Sequence, residues 1–335
     1  MADLQNLLNV IRANASTEYQ TRVPEATRHN ISEVGNPLIV YSNLKNEFLN
    51  NLVEKIAMTI VRSKIAKNPL AILKKGSVPL GKDIEEIITN LTDSEEFDPN
   101  GTELLKRNIP DVKVLYHRLN RKSQYTTTIT RQQLQTAFTS YQALNSLLQS
   151  IVNSLYSSDN YDEFILMKNL FADAITGNKI LKVDVNDVTT NPKDLVKSIK
   201  TCSSNFVFPS SAFNKYSKEG DIKPLITWTP KENQILLIRS DVATEIDVEV
   251  LAVAFNLDKT TLLSRMLEVD SFGSASDCYA ILCDESYVQV YDNLEELTSF
   301  YNPKGLYNNY YWNHWQTYSL SLFANAVAFM KKATV

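Results

Sequence analysis

The sequence predicts an α+β chain, and three stretches carry that prediction. Residues 70–130 hold two strand-like arms around a polar, charge-rich middle. Residues 132–158 keep apolar side chains at helical spacing without a single Asp, Glu, Lys, Arg or His. Residues 225–300 alternate apolar strands with short helices. With 44% apolar and 21% charged residues, the 335-residue chain can bury a core sufficient for one large domain or two ordinary ones.

In chain order, Leu4, Leu7, Leu8 and Ile11 fall on one helical face. No basic run precedes an apolar stretch, so the start reads as an amphipathic helix and not as a secretory signal. Residues 13–36 are polar, contain Pro24 and Gly35, and predict an extended arm. Residues 43–57 place Leu44, Phe48, Leu49, Leu52, Val53 and Ile56 on a helical face, and MTIVRSKI (58–65) reads as a strand.

The two arms of the next region are LAILKKGSVPLG and DVKVLYHRL. Between them Asp93, Glu95, Glu96, Asp98, Asn100 and Gly101 suit an exposed tip. A long two-stranded excursion is not stable alone in water and needs a surface to lie on. Residues 132–158 then predict one helix on the order of 40 Å long. Its outer face is Gln, Ser, Asn and Thr, cheaper to desolvate than charge, so that face too is expected to be covered.

A second helix is expected after Asn160 as N-cap, with Glu163 in capping-box position and Gly177 as its stop. Residues 179–185 alternate as a strand, and 186–224 mix helix with loop. Beyond them, 235–241 reads as a buried strand, 247–257 as a helix, and 279–292 as a strand pair. An aromatic strip from Phe300 to Tyr318 leads to SLSLFANAVAF (319–329), read as a strand rich in small residues. No apolar run reaches the length of a membrane span.

Composition excludes more than it selects. Acidic residues number 38 and basic ones 34, a net charge of −4, which gives no electrostatic grip on nucleic acid. Cys202, Cys278 and Cys283 cannot build a disulfide framework. The last two, five apart on a strand, are expected on opposite faces as free buried thiols, in keeping with folding in a reducing cytoplasm. His29, His117 and His314 have no ligand partners at metal-binding spacing, no glycine loop cradles phosphate, and no nucleophile elbow occurs. The reading is therefore no catalytic, cofactor-binding or metal residues, and no cofactor.

One alternative function has a motif. Residues 248–269 scan like a helix-turn-helix that offers Lys259, Thr260, Thr261, Ser264 and Arg265 to bases. Against it, residues 245–270 carry six acidic residues and two basic ones, which phosphates would repel. A metabolic enzyme, the other alternative, would need a small-molecule pocket with perturbed titrating groups.

Five collinear stretches give the chain a resemblance. They are VPEATRHNISEVG (23–35), NPLAILKKGSVPLGKDIEEIITNL (68–91), EIDVEVLAVAFNLDKTTLL (245–263), VYDNLEEL (290–297) and NPKGLYNNYYWNHWQTYSLSLFANAVAF (302–329). In these the chain resembles the major capsid proteins of the phi-twenty-nine-like group of small podoviruses. The resemblance implies the tailed-phage (Hong Kong 97-type) major capsid fold. Its parts are expected as an N-terminal arm with first helix and strand at 1–64, an extended β-hairpin loop with peripheral strands at 65–130, and a peripheral domain with the spine helix at 131–220. An axial domain at 221–300 and a returning peripheral strand at 301–335 complete it. The chain ends soon after that strand, so an appended immunoglobulin-like domain is not expected.

The same resemblance implies the partners. These are further copies of the chain in pentamers and hexamers, a scaffolding protein during assembly, and a portal protein at one vertex. Double-stranded DNA is enclosed without sequence-specific binding, and no membrane is involved. The expected place is the virion capsid, assembled in the host cytoplasm. Inter-subunit contacts are expected at Lys82, Glu85 and Glu86 on one hairpin arm and at Arg118, Arg121 and Lys122 on the other, where opposite charges would pair between neighbours.

Overall fold

The structure, a computed structural model, describes residues 4–59, 67–102, 105–216, 223–246 and 265–332. Its contacts divide the chain into two compact units, Met1–Asn68 with Arg121–Glu163 and Leu294–Trp315, and Pro69–Asn120 with Phe164–Asn293 and Gln316–Val335. No helix among the described residues is long and apolar enough to cross a membrane.

In the first unit, α1 (Leu4–Asn14) buries Leu4, Leu7, Leu8 and Ile11, as their spacing requires. The following segment is not an extended arm. It folds into α2 (Thr17–Arg22) and α3 (Ile31–Val40), and Tyr19, Val23, Ala26, Ile31, Val34 and Leu38 enter the same core as α1. Arg12 fixes the intervening loop by donating from Nε to the Val23 carbonyl and from Nη2 to that of Gln20, both at 2.8 Å. Helix α4 (Ser42–Thr59) adds Leu44, Phe48, Leu49 and Leu52 and takes in Met58 and Thr59, which the sequence assigned to a strand. The rest of that expected strand lies outside the described residues.

Strand β1 (Ile84–Thr89) and strand β2 (Val112–His117) belong to the second unit, and β3 (Arg121–Thr130) returns to the first. The expected single helix of 132–158 is two. Helix α5 (Arg131–Ala137) starts at a capping box in which Thr130 and Gln133 satisfy each other's backbone N–H groups. Helix α6 (Tyr141–Val152) starts anew, with Ser140 Oγ accepting from the Ala143 N–H at 3.1 Å. The break serves packing. The Phe138 ring lies on Gly35 so closely that a Cβ there would stand 2.4 Å from the Phe138 Cβ, so only glycine fits in α3.

After α6 the chain makes one π turn (Asn153–Ser157) and continues as α7 (Ser158–Thr176). Asn160 is thus helical interior and not the predicted cap. The helix does stop at Gly177, and the left-handed position falls one residue later at Asn178, with φ of 55°.

The second unit is built on a five-stranded mixed sheet in the order β4-β10-β7-β5-β6. Strand β4 (Leu181–Val185) is followed by α8 (Pro192–Phe206), which has proline at its first turn. Then come β5 (Gln234–Arg239), α9 (Ser240–Glu245) and β6 (Met266–Val269). Strands β7 (Cys278–Asp284) and β10 (Ala326–Lys331) are central and almost wholly buried. The sheet is covered on both faces, which explains its continuous apolar runs. Leu237, Ile281, Cys283 and Ala328 meet Met167, Phe171 and Ile175 of α7 on one side. Leu236, Ile238, Leu282 and Phe329 meet Leu195, Ile199 and Phe206 of α8 on the other.

Both thiols of β7 join the α7-side core, against the expectation of opposite faces. The register steps from Phe329↔Ala280 to Met330↔Cys278, so Tyr279 is a bulge that turns Cys278 back to the side of Cys283. Strands β8 (Val288–Asn302) and β9 (Tyr307–Leu320) pair with β3 in the order β3-β9-β8. The expected pair at 279–292 therefore splits between two sheets, and the expected strand at 319–329 is interrupted between β9 and β10.

Candidate assembly interface

The hairpin is shorter than the sequence suggested. LAILKKGSVPLG is not a strand: Pro69–Leu73 forms a 3₁₀ turn that buries Leu70 and Leu73, and the strand falls on IEEIIT instead. Strand β1 pairs antiparallel with β2 from Ile84↔His117 to Thr89↔Val112. Directly paired residues share a face, so Glu85–Tyr116, Ile87–Val114 and Thr89–Val112 point one way, and Ile84–His117, Glu86–Leu115 and Ile88–Lys113 the other.

The second face is fastened to its own unit. Glu86 accepts from Ser321 Oγ at 2.7 Å and lies 3.1 Å from His117 Nε2, whose Nδ1 is 2.7 Å from Ser319 Oγ. Asn90, buried where the strands end, donates to the Pro224 carbonyl at 3.0 Å and accepts from the Ile226 N–H at 3.3 Å. Asp93 pairs with Lys223, and Asp111 with Lys113 at 3.0 Å. The Lys113 and Asn90 hydrogen bonds hold the Asp111 carboxyl below its ordinary range.

Among the described residues, the first face and the tip have no such cover. Ile87, Val112 and Tyr116 are exposed. At the tip Phe97 is 90%, Leu105 92% and Ile109 81% exposed. Asp98 shapes the turn there, accepting from the Asn100 and Thr102 N–H groups at 2.8 and 2.7 Å ahead of Gly101 at φ of 64°.

The six predicted contact residues do not form one set. Lys82 and Glu85 are exposed, Glu86 is half-buried against His117 and Ser321, and Arg118 is exposed and paired with Asp83 at 2.9 Å. Arg121 and Lys122 lie past the hairpin on β3, in the other unit. Lys122 sits 5.0 Å from the Trp315 ring centroid. Arg121 is only 6% exposed, and its Nη2 donates to Asp159 Oδ1 at 2.7 Å.

Asp159 is the hub of a buried polar cluster that sequence reading missed. Its other oxygen accepts from His314 Nδ1 at 2.6 Å and from Trp312 Nε1 at 2.9 Å. Burial opposes its ionisation, yet the His314 hydrogen bond and charge, the Trp312 N–H and Arg121 together hold the carboxyl below its ordinary range. The cluster ties α7, β3 and β9 within the first unit and leaves Arg121 no free donor face for a neighbour.

The helix-turn-helix reading of 248–269 lies mostly outside the described residues. Its last four residues, 266–269, are strand β6, paired parallel with β5, and not a recognition helix.

Comparison with known proteins is consistent across sequence and structure. Residues 8–330 match the family model for the Phi29-like phage major capsid protein. The chain is 37% identical over 327 residues to the major capsid protein of Bacillus phage B103, covering 97% of this chain and 72% of that one. It is 29% identical to the major capsid protein of Streptococcus phage Cp-1, covering 96% and 92%. In structure it is similar to a chain of the capsid of Staphylococcus phage Andhra, with a TM-score of 0.67 at 14% identity over 80% of this chain and 85% of that one, which shows the tailed-phage capsid fold. The DNA-reading alternative finds no support in these matches. The chain belongs to the Phi29-like phage major capsid protein family.

Proposed function

We propose that the chain works by assembly, through a hairpin that each copy lays on the next. The observation that carries this reading is the tip: three large apolar side chains, Phe97, Leu105 and Ile109, stand almost fully in water at the end of a hairpin whose other face is fastened to its own unit. Such a patch marks a surface made to be covered. In a shell, each contact is modest and closure multiplies it.

In this reading 65–130 supplies the extended loop, 131–220 the peripheral domain, 221–300 the axial domain and 301–335 the returning strand. Lys82, Glu85 and Arg118 face neighbouring subunits in pentamers and hexamers. A scaffolding protein guides closure in the host cytoplasm, a portal protein occupies one vertex, and double-stranded DNA fills the shell. The near-neutral, slightly acidic chain suits a wall that encloses DNA without clamping it.

Deleting 92–109 tests the reading. The expected product is a folded, soluble subunit by circular dichroism and sedimentation that forms no shells in electron micrographs. Normal shells from the deletion would overturn the role of the loop.

A further inference from the structure

The pleat of β9 sorts its aromatic residues onto two faces. Tyr310 enters the core of the first unit, and Trp312 and His314 turn the same way to bond Asp159. Tyr307, Tyr311 and Trp315 alternate with them and stand on the opposite face, where each is half-buried. They recur at every fourth position, which sets them about 13 Å apart along one strand. The Lys122 ammonium lies over the Trp315 ring, 5.0 Å from its centroid, so the indole presents its flat side and not its edge. At the far end the Tyr307 hydroxyl accepts from Asn302 Nδ2 at 2.8 Å, which fixes that ring.

Uncharged hydrogen-bonding groups fill the spaces between the rings. Gln124 Nε2 on the neighbouring strand β3 donates to Asn313 Oδ1 at 2.7 Å, and Thr128 Oγ1 donates to Asn309 Oδ1 at 2.7 Å. Gln124 and Thr128 are exposed, and these cross-strand bonds hold the amides in place before any ligand arrives.

The chemistry of this face selects its occupant. A pyranose ring stacks its C–H side on an aromatic ring, while its hydroxyls donate and accept as amides do. Single-stranded nucleic acid also stacks, but its phosphates need a track of cations, and β3 and β9 offer Lys122 alone on this face. Rings this far apart exceed the reach of one sugar and suit an extended chain of them.

We propose that the outer face of β3 and β9 binds an uncharged oligosaccharide. Tyr311 and Trp315 are its stacking platforms, and Gln124, Asn309 and Asn313 meet the hydroxyls; Lys122 moves off the indole when the ligand binds. The site lies in the first unit and is independent of the assembly reading, which concerns the hairpin of the second.

Affinity electrophoresis of the full chain tests the proposal, in native gels cast with dextran, hydroxyethyl cellulose or glycol chitin. The expected result is retardation by at least one of these neutral polymers, stronger than any binding to single-stranded oligo-deoxythymidine. Trp315→Ala and Tyr311→Ala are each expected to weaken the retardation about tenfold, and Trp315→Phe, which keeps a ring, to retain most of it. Circular dichroism checks that the variants fold. Gln124→Ala, at an exposed position of no consequence for folding, is expected to weaken binding about fivefold and carries the test if an aromatic variant unfolds. A native chain that migrates alike in every gel overturns the proposal, as do folded variants retarded as strongly as the native chain. Tighter binding to oligo-deoxythymidine than to every polysaccharide overturns it too.

Discussion

Single residues decide where charge is tolerated inside this chain. Arg121 looked like a surface contact because its charge is opposite to that of Glu85 and Glu86 on the other hairpin arm. It is buried because Asp159, thirty-eight positions away, meets it at 2.7 Å. No local pattern signals such a pair; only the fold brings β3 and α7 together. Replacing Asp159→Asn removes the carboxylate that Arg121, Trp312 and His314 share, and the loss is expected at about 3–5 kcal/mol in urea unfolding at neutral pH. The sign of the pH dependence follows from the lowered folded-state value of the Asp159 carboxyl. The stabilisation is complete above the unfolded-state value near pH 4 and is lost as pH falls through the lower folded-state value. The native chain should therefore lose this component in acid, and the Asp159→Asn variant should lack it. Equal acid sensitivity of the two proteins would place the stabilising charge elsewhere. The bulge at Tyr279 is a further residue-scale feature that alternation alone misassigned, since one extra residue reverses every face beyond it.

Elements were legible where their own periodicity matched their burial. Helix α1, β5 and the stripe of α6 follow from spacing, because each packs through one stripe or, for the strand, both faces. The hairpin was legible as a pair of arms, but its first arm was set too early. Leu70 to Leu73 gave the stronger apolar signal, whereas β1 hides its inward face behind Glu86, a charged residue satisfied by His117 and Ser321. Helix α2 was missed because its six residues bury a single anchor, Tyr19. Helix α3 was missed although Ile31, Val34 and Leu38 fall at helical spacing, because Gly35 and Pro37 inside it read as loop signals.

Asn90 joins the hairpin to residues 224–226, and its loss should be felt at the scale of the element. Asn90→Ala leaves the Pro224 carbonyl and the Ile226 N–H unpartnered, a local cost of about 2 kcal/mol. Amide exchange at Ile226 and Leu91 is then expected to quicken about 30-fold, with global stability changed little. Unchanged exchange at both amides would show that the tip is not anchored there.

The molecule as a whole has one unit centred on helices and another centred on a sheet covered on both faces, each with its own core. Neither core explains the apolar side chains left in water at Phe97, Leu105 and Ile109. They make sense in a chain whose folded state is finished by its neighbours. The collinear stretches in the sequence already pointed to such a family, and the match over residues 8–330 establishes it.

Electron cryomicroscopy of the particles this chain forms tests that claim most directly. The expected map is a closed shell of this subunit, with density of an adjacent copy over each hairpin tip. A chain that stays monomeric in sedimentation at every concentration, with or without scaffold, and whose tip lies against its own body, would contradict it.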